Sequence, residues 1–153
     1  YSEDPNSRRI ASVICQNRPI FSSVELANII ESANLKVRRK HHPATLTFQA
    51  LRIAVNDEIK ELETTLDDSL SLLGIGGRLA VITYHSLEDR IVKNFIKRGT
   101  SKCDCPPLNL ECTCSINPSI KIINKKPITP SSTEISSNPR SRSAKMRVIE
   151  RII

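Results

Sequence analysis

Apolar residues return every three or four positions through much of the first half of the chain. Near the start, Ile10, Val13 and Ile14 fall on one helical face, and Pro19 stops the pattern. The next stretch, "IFSSVELANIIESA", opens with Ser22 three residues before Glu25. That is the spacing of a capping box, whose serine is worth about 1 kcal/mol. Phe21 and Leu26 flank it at the positions of a hydrophobic staple. From 43 to 73, Phe48, Leu51, Val55, Ile59, Leu62, Leu66, Leu70 and Leu73 form one apolar stripe. Pro43 suits the first turn and Gly74 the left-handed residue that closes a helix. At 1.5 Å per residue such a helix would run about 45 Å, so the pattern predicts a long helix with a bend.

The period changes at "GGRLAVITYHSLEDR", residues 76–90. Its apolar run, Leu79 to Ile82, does not alternate. It predicts a strand covered by helices on both faces, as in a parallel sheet. Ser86 and Asp89 make a second capping pair. Leu87, Ile91, Val92, Phe95 and Ile96 give the following helix its buried face, and Gly99 is read as its end. Helix, strand, helix is one unit of an α/β sheet. Beyond residue 100 the chain turns loop-like and cysteine-rich ("SKCDCPPLNLECTCS"), then rich in proline and serine. It closes on "KMRVIERII", whose β-branched residues predict a terminal strand. There is no internal repeat.

Composition narrows the partner. With 39% hydrophobic residues among 153 but only 3% aromatics, the core must be built from Leu, Ile and Val. A net charge of +7 and a pI near 9.4 favour a polyanion, nucleic acid ahead of a membrane surface, over a merely basic domain. No stretch approaches the roughly 20 apolar residues of a membrane span, and no signal-peptide pattern opens the chain, so a cytoplasmic location is expected. The chain opens at Tyr1 and its single methionine is Met146, so a piece of a longer protein is expected.

Three clusters carry candidate chemistry. "KVRRKHH" concentrates Lys36, Arg38, Arg39 and Lys40, either a solvated face or a set of phosphate contacts. His85 and Ser86 follow the predicted strand, and ligands of open α/β sheets bind beyond the carboxyl ends of strands. Ser86 also stands at a helix N-terminus, where free N–H groups favour anions. The plainer reading makes His85 a turn residue and Ser86 a cap. Cys103, Cys105, Cys112 and Cys114 supply four sulfurs in one loop. They would suit structural zinc, although the one-residue spacings and the absence of a histidine fit free thiols equally. Cys15 reads as a small buried hydrophobe.

"HPATLTFQALRIAVNDEIKELE" followed by "GGRLAVITYHSLEDRIVK" resembles the second half of the RsmH (MraW) family. The opening "YSEDPNSRRIASVI" and the closing "NPRSRSAKMRVIER" fit the same family, so the likeness covers nearly the whole chain. These are S-adenosylmethionine-dependent enzymes that methylate the exocyclic N4 of a cytidine in small-subunit ribosomal RNA. The resemblance implies an α/β fold: the C-terminal half of a Rossmann-like methyltransferase sheet preceded by part of an inserted helical domain. Residues 1–42 would end the helical, RNA-recognising domain and 43–153 return to the methyltransferase domain. His85 would be catalytic, and Ser86, Thr47, Arg52, Arg140 and Arg142 would bind substrate. Arg38, Arg39 and Lys40 would contact RNA phosphates. Departures from the family pattern include Leu46 in place of arginine and Tyr84 in place of phenylalanine. Asn138-Pro139-Arg140 resembles part of the Asn-Pro-Pro-aromatic motif of amino-methyltransferases, without its second proline or its aromatic.

None of Gly74, Gly76, Gly77 and Gly99 forms a cofactor loop, and no acidic residue follows a second strand to hold a ribose. The methyl donor would therefore be bound mainly by an absent N-terminal half, with which this chain would pair unless it forms a homodimer. Alone it is expected to be inactive. The alternative is a noncatalytic RNA-binding or structural fragment. A cytosine amino nitrogen is a poor nucleophile, so positioning dominates the chemistry. His85 would either line the nucleotide pocket or take the proton.

Overall fold

The computed structural model describes residues 1, 3–33, 42–101, 103 and 117–153. The basic run Lys36, Arg38, Arg39 and Lys40 lies outside the described residues, as do Cys105, Cys112 and Cys114. The chain divides into two compact units, Tyr1–Glu58 and Ile59–Ile153.

The first unit is helical: α1 (Ser7–Gln16), α2 (Ser23–Ala33) and α3 (Thr45–Val55). Ile10, Ile30, Ala33 and Ala44 form its core, with Val13, Ile14, Leu26, Ala27 and Phe48 packed against them. Ser22 caps α2 as its spacing predicts, its Oγ accepting the Glu25 N–H at 3.1 Å. The Glu25 carboxylate returns to the Phe21 N–H at 2.8 Å. The staple does not form: Leu26 turns to the core while Phe21 is 84% exposed. Cys15 is likewise exposed rather than buried, because α1 spends its inward face on Ile10, Val13 and Ile14.

The long helix expected over 43–73 is broken. α3 ends at Val55 and α4 (Glu58–Leu72) begins three residues later. Between them Asp57 takes φ 54°, a left-handed conformation that cannot continue a right-handed helix. Asn and Asp favour such interruptions because their side chains compete for backbone groups. Here Asn56 and Arg52 both bond to Glu58, Arg52 through two contacts of 2.8 and 3.0 Å.

The second unit is mixed. After α4 come β1 (Arg78–Thr83), α5 (Ser86–Thr100), β2 (Ile120–Ile122), α6 (Ser132–Ser137), a 3-10 turn (Pro139–Ser143) and β3 (Lys145–Arg151). The strands form one sheet in the order β1-β3-β2, and both pairings are antiparallel. This corrects the expected parallel sheet. β1 is not covered on both faces: Leu79 and Val81 pack against the core and Thr83 is buried, while Arg78, Ala80 and Ile82 are exposed. The predicted terminal strand is the central one. Leu66, Ile91, Val92, Phe95, Ile96, Ile120 and Ile149 make the core of this unit.

Gly74 does not close α4. The left-handed residue is Gly76 (φ 82°), third in a four-residue turn closed by the Gly77 N–H on the Gly74 carbonyl at 2.9 Å. β3 binds this turn: the Arg151 carbonyl accepts the Gly76 N–H and the Arg151 N–H donates to Gly77. The Arg151 Nη1 also lies 3.2, 3.0 and 2.5 Å from the carbonyls of Leu70, Ser71 and Leu73, which the end of α4 leaves without helical partners.

Gly99 lies inside α5 rather than ending it. A Cβ there would stand 2.7 Å from Ile120, so the missing side chain lets β2 lie against the helix. Gly99→Ala is therefore expected to destabilise by about 1–3 kcal/mol through overpacking, against the roughly 1 kcal/mol that helix propensity returns. A urea midpoint at or above wild type would contradict the close approach.

Candidate functional site

β1 delivers the chain to α5 through Tyr84 and His85. Thr83 is buried, and its Oγ1 lies 3.4 Å from the Lys145 carbonyl at the paired end of β3. The cap of α5 is His85, not Ser86. The His85 Nδ1 accepts the Glu88 N–H at 3.3 Å, and Glu88 Oε2 accepts the N–H groups of Tyr84 (2.7 Å) and His85 (3.2 Å). The box expected at Ser86 and Asp89 thus forms one residue earlier, with an imidazole in the role of a hydroxyl. Ser86 is the exposed first residue of the helix.

This arrangement decides what His85 offers. With the Nδ1 lone pair committed to Glu88, the ring proton sits on Nε2. Nε2 is buried 2.9 Å from Glu88 Oε1, yet misaligned, so it makes no hydrogen bond. Nε2 therefore faces the Glu88 carboxylate and is closed to solvent. In this geometry the ring presents a donor rather than a free base.

One residue on, Asp89 is 6% exposed. The Arg147 Nε meets its Oδ1 at 2.8 Å and Nη2 its Oδ2 at 3.4 Å, while the Lys145 Nζ stands 3.7 Å from Oδ2. Burial works to raise the Asp89 pKa. The hydrogen bond and charge of Arg147, with Lys145 and Lys93, outweigh it and hold the carboxyl below its usual range. A lowered folded value contributes stability that is full above the unfolded value near 3.9 and lost as pH falls through the lowered one. Asp89→Asn should therefore be less stable than wild type at neutral pH, and the gap should narrow below about pH 4. Unfolding midpoints taken from pH 2 to 7 check this; a gap constant with pH would reject it.

The remaining expected site residues fall in both units. Arg140 and Arg142 are exposed on the 3-10 turn that leads into Lys145, and Lys145 pairs with Thr83 at the end of β1. Thr47 and Arg52 belong to the first unit. Thr47 lines an apolar cleft of about 280 Å³ with Ile10, Ala11, Ile14, Ala50 and Leu51, and Arg52 is engaged by Glu58. Among the described residues no group of three or more His, Cys, Asp or Glu comes together to hold a metal, and no helix is long and apolar enough to cross a membrane. Sequence reasoning missed Glu88, although its spacing from His85 is that of a capping box. It also missed the Asp89–Arg147 pair, whose partners stand 58 residues apart and leave no local signal.

Residues 1–152 match the model of the MraW methylase family. The chain belongs to that family. Three of its relatives carry the name ribosomal RNA small subunit methyltransferase H. One from Dehalococcoides mccartyi is 56% identical over all 153 residues, which cover 44% of that protein. One from Lawsonia intracellularis is 50% identical, with all of this chain covering 51% of the relative. One from Geobacter sp. is 48% identical, with 99% of this chain covering 50%. This MraW-family chain spans about half the length of these relatives.

Proposed function

We propose that the intact protein transfers a methyl group from S-adenosylmethionine to the N4 amino group of a cytidine in small-subunit ribosomal RNA, in the cytoplasm. This chain would be its C-terminal half, with residues 1–42 closing an inserted helical domain and 43–153 completing a Rossmann-like methyltransferase domain. Family membership supports the reaction class, and the relatives' name supports the substrate. The observation that carries the assignment of the site is His85, which caps α5 directly after β1 and keeps a buried ring nitrogen 2.9 Å from the Glu88 carboxylate without a hydrogen bond.

The described residues do not make a cradle for S-adenosylmethionine. The turn after β1 has no glycine, and its amides at Tyr84 and His85 are spent on Glu88. Gly74, Gly76 and Gly77 serve the turn before β1, and Gly99 packs on Ile120. The donor supplies an activated methyl when bound, and its contacts belong elsewhere in the intact protein. What this chain supplies is substrate handling. His85 would line the nucleotide pocket and help hold the amino nitrogen in line. Ser86, Thr47 and Arg52 would bind substrate. Arg140 and Arg142, with Arg38, Arg39 and Lys40, would hold phosphates. A noncatalytic RNA-binding fragment is the second reading, favoured by the missing cradle alone.

The deciding experiment incubates the intact protein with small ribosomal subunits and labelled S-adenosylmethionine, then identifies the modified nucleoside. Label on cytidine N4 is expected. Absence of transfer, or label on another atom, overturns the reading. Calorimetry should show no stoichiometric binding of S-adenosylmethionine to residues 1–153 alone.

Each phosphate contact has its own signature. Neutralising Arg140, Arg142, Arg38, Arg39 or Lys40 singly should lower the salt slope of RNA binding by about 0.7–0.9. Unchanged slopes in all five variants would reject the assignment.

A further inference from the structure

The Asp89–Arg147 pair costs desolvation on both sides, and an apolar pair of similar volume would hold strand to helix as well. What the charged pair adds is direction. A guanidinium meeting a carboxylate through two nitrogens restrains rotation as well as separation. Arg147 pairs with Val81 across the sheet, two residues before β1 ends, and both lie on the face that α5 covers. Asp89 is the fourth residue of α5. It directly follows Glu88, whose carboxylate takes the two amides of the turn carrying His85. The chain of contacts runs from β3 through Arg147 and Asp89 into the first turn of α5, then through Glu88 to His85.

We infer that Arg147 is a positioning residue: acting through Asp89, it sets the rotation of the first turn of α5 and thereby the placement of His85. Lys145 cannot substitute for it. Its ammonium stands farther off, at 3.7 Å, its side chain is 43% exposed, and it lacks the fork.

The inference rests on the methyltransferase reading for its kinetic arm only. In the intact protein, Arg147→Met and Asp89→Asn should each lower kcat for methyl transfer to small ribosomal subunits by about 10- to 100-fold, the scale of a displacement near 1 Å. KM for the subunits should stay within about two-fold, since Arg147 touches no substrate. Arg147→Lys should recover part of the loss, and the double variant should lose no more than the worse single one. Amide hydrogen exchange at Tyr84 and His85 should accelerate in Arg147→Met while the amides of Phe95 and Ile149 keep their wild-type rates. If Arg147→Met does not fold, Arg147→Lys and Asp89→Asn carry the same measurements. Wild-type kcat with unchanged exchange at Tyr84 and His85 overturns the inference. So does a loss of activity that follows a uniform rise in exchange across the unit. Should the intact wild-type protein transfer no methyl group, the methyltransferase reading falls, and the exchange measurements still decide the positioning role.

Discussion

His85→Ala in the intact protein is expected to lower kcat about 10- to 100-fold with the affinity for S-adenosylmethionine unchanged. The reason is geometric. The Nδ1 lone pair is held by the Glu88 N–H and Nε2 is buried against the Glu88 carboxylate, so on the proposed reading the ring would shape the nucleotide pocket and is not placed to remove the proton. The acidic limb of the pH–rate profile should therefore survive the substitution. Were His85 the general base, the loss should fall nearer 10²–10⁴-fold and that limb should vanish. The same variant also removes a cap, worth about 1 kcal/mol of stability. His85→Asn separates the two effects, because asparagine is among the best capping residues: stability should return while the rate does not. Ser86→Ala should stay within about 0.5 kcal/mol of wild type, since Ser86 caps nothing. A His85→Asn variant with wild-type kcat would remove the ring from the mechanism.

Arg151→Met is expected to cost about 1.5–3 kcal/mol of stability, the range for hydrogen bonds made by a charged group. Its guanidinium closes the end of α4 on the carbonyls of Leu70, Ser71 and Leu73, where a cation also suits the helix dipole. Methionine keeps the apolar stem and removes only the donors. Denaturant unfolding checks this, and a midpoint within error of wild type would mean the carbonyls find water at no cost. Arg151→Lys should recover part of the loss.

Much of the local structure was legible in the residues alone. The periodic stripes set which faces of α1 and α5 turn inward, because a helix presents every third or fourth residue to one side. Ser22 and Glu25 marked the start of α2, since a cap is made within one turn. The β-branched end marked β3. His85 was legible as a candidate from its place after an apolar run, and the family resemblance from two long motifs.

Other features came only with the tertiary structure. An apolar run such as Leu79–Ile82 does not say which strand will lie beside it, so the antiparallel sheet and the central place of β3 were hidden. The stripe through 43–73 gave no sign that Asp57 would take a left-handed conformation and split it. The sequence marked Ser86 as the cap of α5, and only the structure shows His85 in that role, because its side chain is the one that reaches the Glu88 N–H. Arg147 lies 58 residues from Asp89, and the α4-end carbonyls that Arg151 reaches lie 78 to 81 residues before it. Contacts within one helical turn are written in neighbouring residues, whereas pairing across a sheet depends on where the whole chain returns.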